Sequence, residues 1–421
     1  MDENLQTQAR NLKINYLVNI GDGGFFGFAL GFASFTTILP LFFSTMTDSA
    51  MLIGLIPAIH TIGWQLPQLL TARRISKLSH FKPYVLMATI HERLPLVGLA
   101  LIAFFLPTLG KNLGLILAFL MLVWQGLGAG FTANAWQNFI GKIIPADFLG
   151  TFFGLQSGAA NLFASIGAIA AGMILEKVPE AKNFALCFLI AAVLMFISWF
   201  LVSLTREPER TFENLPPAEI PLWNQVTDVL KRDRPFLWFI ITRMLFQFSM
   251  MAFAFFTVYA VRHHNMGETA AGVMTSVLMI TQVGSNPILG WLADHWSRKR
   301  VLQIGALAAS GSAIMAWLAP NLAWFYVVMA LEGIASTAYW TIGLAYTLDF
   351  GEEHEKPLYV GLANTLLVPA SILAPIIGGA LADSASYSST FIFAAFAGLV
   401  TALVMQIFVK EPLKRTQIAQ T

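Results

Sequence analysis

Apolar residues in this chain fall in blocks of about 20, repeated along nearly its whole length. A helix of that length rises about 30 Å, the thickness of bilayer hydrocarbon. Inside hydrocarbon every backbone N–H and C=O must be met within the protein, which leaves helices or closed barrels. Blocks of this length fit membrane-spanning helices. Charge supports the same conclusion. Only 11% of the 421 residues are charged, against about a quarter in soluble domains. The fold class expected is an all-α polytopic membrane protein of twelve transmembrane helices. Their approximate cores are 16–44, 50–71, 84–106, 113–139, 151–175, 184–204, 236–261, 269–293, 301–319, 323–348, 358–382 and 389–409.

The opening stretch "MDENLQTQARNLKINY" mixes acids with bases and has no small-residue cleavage site, so it does not read as a removable signal. A single cysteine, Cys187, excludes an intrachain disulfide. Lysine and arginine placement orients the spans. With the N-terminus inside, nineteen of the 25 fall on the inner side and four (Lys111, Lys177, Lys182, Arg262) outside, while Arg93 and Arg243 lie within spans. A multi-pass protein of the cytoplasmic (plasma or inner) membrane with both termini cytoplasmic is expected. The proline- and charge-rich stretch 205–234 reads as a cytoplasmic loop between six-helix bundles at 1–204 and 235–421, with "WNQVTDVLKR" as a short amphipathic helix at the membrane surface.

The two halves are alike. "WQGLGAG" (Trp124–Gly130) in the fourth block aligns with "LEGIAS" (Leu331–Ser336) in the tenth, which sets Gln125 against Glu332. "FFGLQS" opens the fifth block as "YVGLAN" opens the eleventh. "NPILGWLAD" closes the eighth block and "LPQLLTARR" the second, with their prolines in register. Six-plus-six duplication is the pattern of a transporter with its site near the midplane.

Polar residues inside spans are the site candidates. Asn15, Asn19 and Asp22 form a stripe in the first block, with Gly21, Gly23 and Gly24 around the acid. Asp22 would exchange a proton, or cap and pack near the inner mouth. Glu332 lies well inside the tenth block, with Ser336, Tyr339 and Trp340 beyond it. It would carry a proton, touch substrate, or make an interhelix hydrogen bond. Arg243 and Gln247 are one turn apart. Arg243 would neutralise Glu332 or Asp22, hold an anionic group, or snorkel to the inner surface. His91, Glu92 and Arg93 point in different directions and read as partners of neighbouring helices. Further candidates for a wet cavity are His60, Trp64, Gln125, Asn134, Trp136, Gln156, Gln282, Asn286 and Asn364. Any one of them is also suited to joining helices. Amides and aromatics together suit a sugar-like or amphipathic organic solute.

The stretch "GWLADHWSRKR" (Gly290–Arg300) carries a sharper motif. Gly290, then Asp294, Ser297, Arg298 and Lys299 match the loop signature of the major facilitator superfamily, which the chain resembles over its full length. The resemblance implies two pseudo-symmetric six-helix bundles, a cavity lined by helices 1, 4, 7 and 10, and a helix-1 acid at the depth of Asp22 that carries the proton in proton-coupled members. It also implies a conformational latch at Gly290, Asp294, Arg298 and Lys299; the alternative is a topology anchor at the lipid headgroups. The first-half copy departs from the signature, with Leu70 for the glycine and Arg74 for the aspartate. In the fourth block Leu122 stands where some members carry an arginine.

The function expected is secondary active transport of a small organic solute by alternating access, coupled to protons. No phosphate-cradling loop is present to couple ATP. Expected partners are the solute, protons and the lipid bilayer; no nucleic acid and no cofactor are expected, and the chain is expected to act as a monomer. The alternatives are proton-driven export of hydrophobic drug-like or lipid compounds, and a transport-inactive sensor or a membrane-embedded enzyme.

Overall fold

The computed structural model describes residues 2–208, 222–264, 268–384 and 386–409. Every regular element among them is helical. We label the long helices α1 (Asp2–Phe32), α2 (Ala50–Gln65 and Gln68–Ser76), α3 (Lys82–Ala88 and Ile90–Leu109), α4 (Lys111–Ile143), α5 (Leu149–Lys177) and α6 (Glu180–Ser203). The second set is α7 (Arg234–Ser249, continued by Phe253–His264), α8 (Glu268–His295), α9 (Arg298–Leu318), α10 (Ala323–Thr337, then on to Thr347), α11 (Lys356–Thr365 and Val368–Ser384) and α12 (Tyr387–Phe408). Nine of these twelve are long and apolar enough to cross a membrane among the described residues; α1, α2 and α8 complete the set.

Breaks follow local chemistry. α2 is interrupted just before Pro67 stands as the N-cap of its second piece, as expected where proline removes an N–H and restricts its predecessor. The first span differs from the expected 16–44. The helix begins near the start of the chain and stops at Phe32, and Ile38–Ser44 is a separate short helix. Between them the Ser34 hydroxyl accepts from the Thr36 N–H at 3.3 Å, a local bond that competes with helix continuation. The predicted amphipathic helix is present as Leu222–Arg232, with Val226 and Val229 buried and Trp223 exposed. Asp233 follows it and caps α7 by accepting from the Phe236 N–H at 3.0 Å. Arg210, Lys410, Lys414, Arg415 and loop residues 209–221 lie outside the described residues.

Contacts divide the chain into two units. The first comprises Met1–Pro145, Gln156–Leu215 and Val360–Thr365; the second comprises Ala146–Leu155, Pro216–Tyr359 and Leu366–Thr421. α5 thus gives its first turns to the second unit and the rest to the first.

The core of the first unit gathers Phe42, Phe43, Leu99, Ala118, Phe188 and Met195. Phe43 and Phe119 pack edge to face at 4.8 Å, and Phe42 and Phe188 at 5.2 Å. Lipid tails are as apolar as leucine, so helices associate through close packing over small residues. α2 and α4 meet where Gly63 faces Gly126: a Cβ on Gly63 would lie 2.7 Å from the Gly126 carbonyl carbon. The core of the second unit is built around Phe256, Phe325 and Phe391. A smaller cluster sets Phe246 edge-on to Tyr339 at 5.2 Å. α10 carries a five-residue π segment at Ala338–Ile342, a distortion that recurs at functional positions.

Gly63→Ala forces that α2–α4 crossing apart and is expected to lower stability by about 1–3 kcal/mol, the usual cost of overpacking. Gly54→Ala, on the same helix with nothing within 4 Å, is expected to be neutral or slightly stabilising. Thermal melts of both variants in one detergent check the contrast.

Candidate functional site

A cavity of about 210 Å³ lies inside the first unit. Asp22 reaches it from α1, Glu92 and Arg93 from α3, Trp64 from α2, Trp136 from α4 and Gln156 from α5. The Asp22 carboxylate accepts from the Ser198 hydroxyl at 2.6 Å and stands 4.0 Å from the Arg93 guanidinium. Glu92 stands 4.0 Å from the other side of the same guanidinium. Arg93 is tied down by donation to the Met195 carbonyl (2.9 Å), the Ser198 hydroxyl (3.0 Å) and both oxygens of Thr89. All three charged residues are buried. Gly23 has no side chain to oppose Gln156, which packs in that space and donates to the Asn19 carbonyl at 2.9 Å.

The polar stripe on α1 therefore divides in two. Asn15 exchanges hydrogen bonds with the Arg206 backbone, and Asn19 donates to the Asn15 carbonyl and the Thr205 hydroxyl. Those two asparagines hold α1 to the end of α6, and Asp22 alone reaches the cavity. Glu92 and Arg93 were absent from the expected cavity list. Arg93 does pair with a neighbouring helix as expected, and the same contacts bring it beside Asp22, whereas Glu92 meets Thr89 and Arg93 of its own helix. The signal was an acid and a base side by side in α3 opposite a buried acid in α1. His91 points elsewhere: its Nδ1 accepts from the Trp124 indole N–H at 3.2 Å.

Other candidates group separately. His60 and Gln125 bond each other at 3.0 Å, and the His60 ring stacks on Phe35 at 4.0 Å. Asn134 donates to the Gln68 carbonyl (2.8 Å), while Asn364 donates to the side-chain oxygens of Gln68 (2.7 Å) and Gln137 (3.2 Å). These amides form one buried cluster in the first unit, and Gln65, one turn before Gln68, is fully buried with neither side-chain polar atom bonded among the described residues.

In the second unit the buried Glu332 accepts from the Ser312 hydroxyl at 3.1 Å, and its Oε1 has no hydrogen-bond partner among the described residues. Arg243 is buried on α7 beneath aromatic rings, its guanidinium 5.1 Å from the Tyr339 centroid and 5.9 Å from that of Phe239. No carboxylate lies within ion-pair distance of it among the described residues. Gln247, one turn on, is half-buried. Gln282 donates to the Ser336 hydroxyl at 3.2 Å, and Asn286 donates to the Gln282 carbonyl and accepts from Thr341. Trp340 is at the surface, edge-on to Tyr339 at 5.0 Å.

The charged motif is fully assembled. Asp294 accepts from the Gly150 N–H (2.8 Å) and the Thr151 N–H (2.5 Å), the first free donors of α5. A carboxylate at a helix N-terminus meets both orphan N–H groups and the positive end of the dipole. Arg298 holds the same carboxylate at 2.8 Å and also bonds Asp349 and the Ala146 carbonyl. Asp349, just past α10, is the member that sequence reading missed; burial pushes its carboxyl above the ordinary range and Arg298 pulls it back. Gly290 lets α8 approach α5, since a Cβ there would lie 3.0 Å from the Gly154 Cα. Ser297 caps α9 by accepting from the Arg300 N–H, and Lys299 donates to the Gln406 carbonyl.

The first half, whose loop lacks the aspartate, is pinned differently. Glu207, beyond the end of α6, accepts from the Phe81 and Lys82 N–H groups at 2.8 and 2.9 Å and pairs with Lys142 at 2.8 Å. It caps α3 as Asp294 caps α5.

The sequence model of the Major Facilitator Superfamily matches residues 91–267 and 240–420. Multidrug resistance protein 1 of Bacillus subtilis (strain 168) is 28% identical over 148 residues, 35% of this chain and 38% of that protein. A Na(+), Li(+), K(+)/H(+) antiporter of Planococcus maritimus is 25% identical over 169 residues, 39% of each chain. Each match thus spans under two fifths of the relative's own length. Among solved structures, the E. coli fucose:proton symporter FucP superposes with a TM-score of 0.76 at 16% identity, covering 95% of this chain and 100% of that one. The proton:xylose symporter XylE gives 0.72 at 14% identity, with 96% and 97% covered. At these identities the likeness shows the fold alone.

Asp294→Asn strips a charge from two backbone donors and a buried arginine. Each charge-assisted hydrogen bond is worth about 1.5–3 kcal/mol, so a clear drop in Tm is expected. Lys299→Ala, which removes the exposed bond to the Gln406 carbonyl and touches neither Asp294 nor its donors, should lower Tm far less in the same melt.

Proposed function

The chain belongs to the major facilitator superfamily, a family of multi-pass membrane transporters, and from that premise we propose that it carries a small organic solute by alternating access, driven by protons. The observation that supports this most is the buried Asp22 in the first-unit cavity, reached by solvent-sized space and held by Ser198 and Arg93. A carboxylate in such a place binds a proton when its cationic partner withdraws and releases it when the partner returns. Proton occupancy then shifts the balance between two conformations, and a solute that prefers one of them moves with the proton. The Lys/Arg asymmetry supports cytoplasmic termini in a plasma or inner membrane.

In this reading the Asp294–Arg298–Asp349 cluster is the latch. It ties the first turn of α5 to α8 and α10 in one conformation and lets go in the other. Nothing about it requires loss of charge; the N–H donors and the guanidinium only have to find water instead. Export of drug-like compounds is the second reading. It is supported by Phe26, Trp64 and Trp136 around the cavity and by relatives named for drug resistance.

Asp22→Asn is expected to abolish uphill, proton-driven movement in reconstituted vesicles while solute exchange persists. A panel of sugars, amino acids, organic acids and dyes, followed by an internal pH dye, provides the measurement; unchanged accumulation removes Asp22 from the coupling step. For the latch, Asp294→Ala is expected to broaden or shift the distance distribution between spin labels on the α5 start and the α8 end. An unchanged distribution leaves the cluster as a topology anchor.

A further inference from the structure

A second cavity, of about 840 Å³, lies at the start of α4, a full helix length from the Lys142–Glu207 pair at the other end. Leu41 and Phe42 of the short helix Ile38–Ser44 wall it, with Leu106 and Pro107 of α3, Leu175 of α5 and Phe184 of α6. None of these six side chains can hydrogen-bond. The hydroxyls of Ser44 and Thr45, also in the lining, donate back to the Leu41 and Phe42 carbonyls at 2.8 and 2.7 Å, and Asn183 donates to the Leu175 carbonyl at 3.4 Å. Lys111 differs. It is the one charged residue of the lining, and among the described residues its ammonium makes no ion pair or hydrogen bond. Asp48 and Glu176, acids close by in sequence, stand outside the lining.

The volume falls in the range of small-molecule sites, about 300–1,000 Å³. Water in such a pit finds few polar partners, so an apolar chain displaces it with a gain proportional to the area covered. A bare alkyl chain would leave the Lys111 charge unanswered, and a polar solute would leave the leucine and phenylalanine walls unanswered. A cationic head would face a like charge, whereas a carboxylate gains a charge-assisted hydrogen bond. The Lys/Arg asymmetry puts this end at the outer surface, the depth at which amphiphiles sit with head in water and tail in hydrocarbon. Five helix ends close round the pit, which leaves room for one chain; a two-chain lipid would keep its second chain outside.

We propose that this cavity binds one long-chain fatty acid, its tail between the short helix and α3 and its carboxylate at Lys111. The site shares no lining residue with the acidic cavity around Asp22, so the proposal goes beyond the carrier reading and stands without it. A bound acid joins the short helix Ile38–Ser44 to the start of α4 and acts on that end of the unit alone.

A clickable palmitate carrying a diazirine tests it, photolysed with the purified full-length protein in phosphatidylcholine nanodiscs and located by peptide mass spectrometry. Label is expected to concentrate at Leu106 and Phe184, above the exposed stretch of α6 around Phe196 and Phe200. Oleate should displace it. Butyrate, a head without a tail, and hexadecyltrimethylammonium, a tail with the wrong head, should not. Lys111→Glu should cut the cavity label by about tenfold, the loss of one charge-assisted bond, while Lys111→Arg keeps it. Lys111 is exposed, so melting curves of both variants should match the parent. Cavity label no denser than that on Phe196 and Phe200, equal displacement by the ammonium amphiphile, or full label in Lys111→Glu overturns the proposal. Displacement by phosphatidylglycerol in the disc but not by oleate also overturns it, and gives the pit to a bilayer lipid.

Discussion

Hydrocarbon provides no hydrogen bonds and little screening, so a charge placed in it must be answered by another group of the protein. That constraint organises the first unit. Arg93 meets a backbone carbonyl on α6, two oxygens of Thr89, and a serine that it shares with Asp22. The result is a polar pocket lined by residues of all six helices of the first set, in which acids and base are close without being locked into short ion pairs. A tighter bidentate pair would hold the charges permanently. At 4.0 Å, neither acid is in direct hydrogen-bond contact with the guanidinium.

The same constraint acts at helix ends, where free N–H groups must find acceptors. The two halves solve it with different residues. In the second unit Asp294 comes from the last turn of α8 and caps α5, and Arg298 pairs with both Asp294 and Asp349. In the first unit the equivalent loop has Arg74 instead, and the capping carboxylate is Glu207, from the segment after α6. The two carboxylates do the same job on helices that are not counterparts, α3 and α5. Gln125 and Glu332 also diverge. One bonds a histidine on α2, the other a serine on α9.

Amide side chains do most of the remaining joining. Gln68, Asn134, Gln137 and Asn364 bond one another in a buried cluster, and Asn15 and Asn19 fasten α1 to the end of α6. Each amide both donates and accepts, so a few of them can close a network without introducing charge. Leucine-like packing alone cannot discriminate between one helix pairing and another in lipid; glycine contacts such as Gly63 on Gly126 and bonded amides can.

Block length and charge asymmetry were enough to specify a twelve-helix membrane protein, because bilayer thickness and the cost of bare backbone leave few other solutions. The Gly290–Lys299 motif was legible too, since its members sit within ten residues and their roles follow from their types. Local chemistry also foretold the Leu222–Arg232 helix. What the linear chain did not reveal was which polar residues meet. Asp22 and Arg93 are 71 positions apart, Glu207 lies in a stretch that reads as linker, and Asp349 lies past the end of a span; helix periodicity says nothing about the rotation of one helix against the next. Asn15, Asn19 and Asp22 read as one stripe, yet only the packing of α1 against α3 and α6 turns the third into a cavity residue and the other two into fasteners. Direction of a side chain along a helix is a local property, whereas its partner depends on how neighbouring helices are packed, and that is decided by the sum of small contacts across the whole unit.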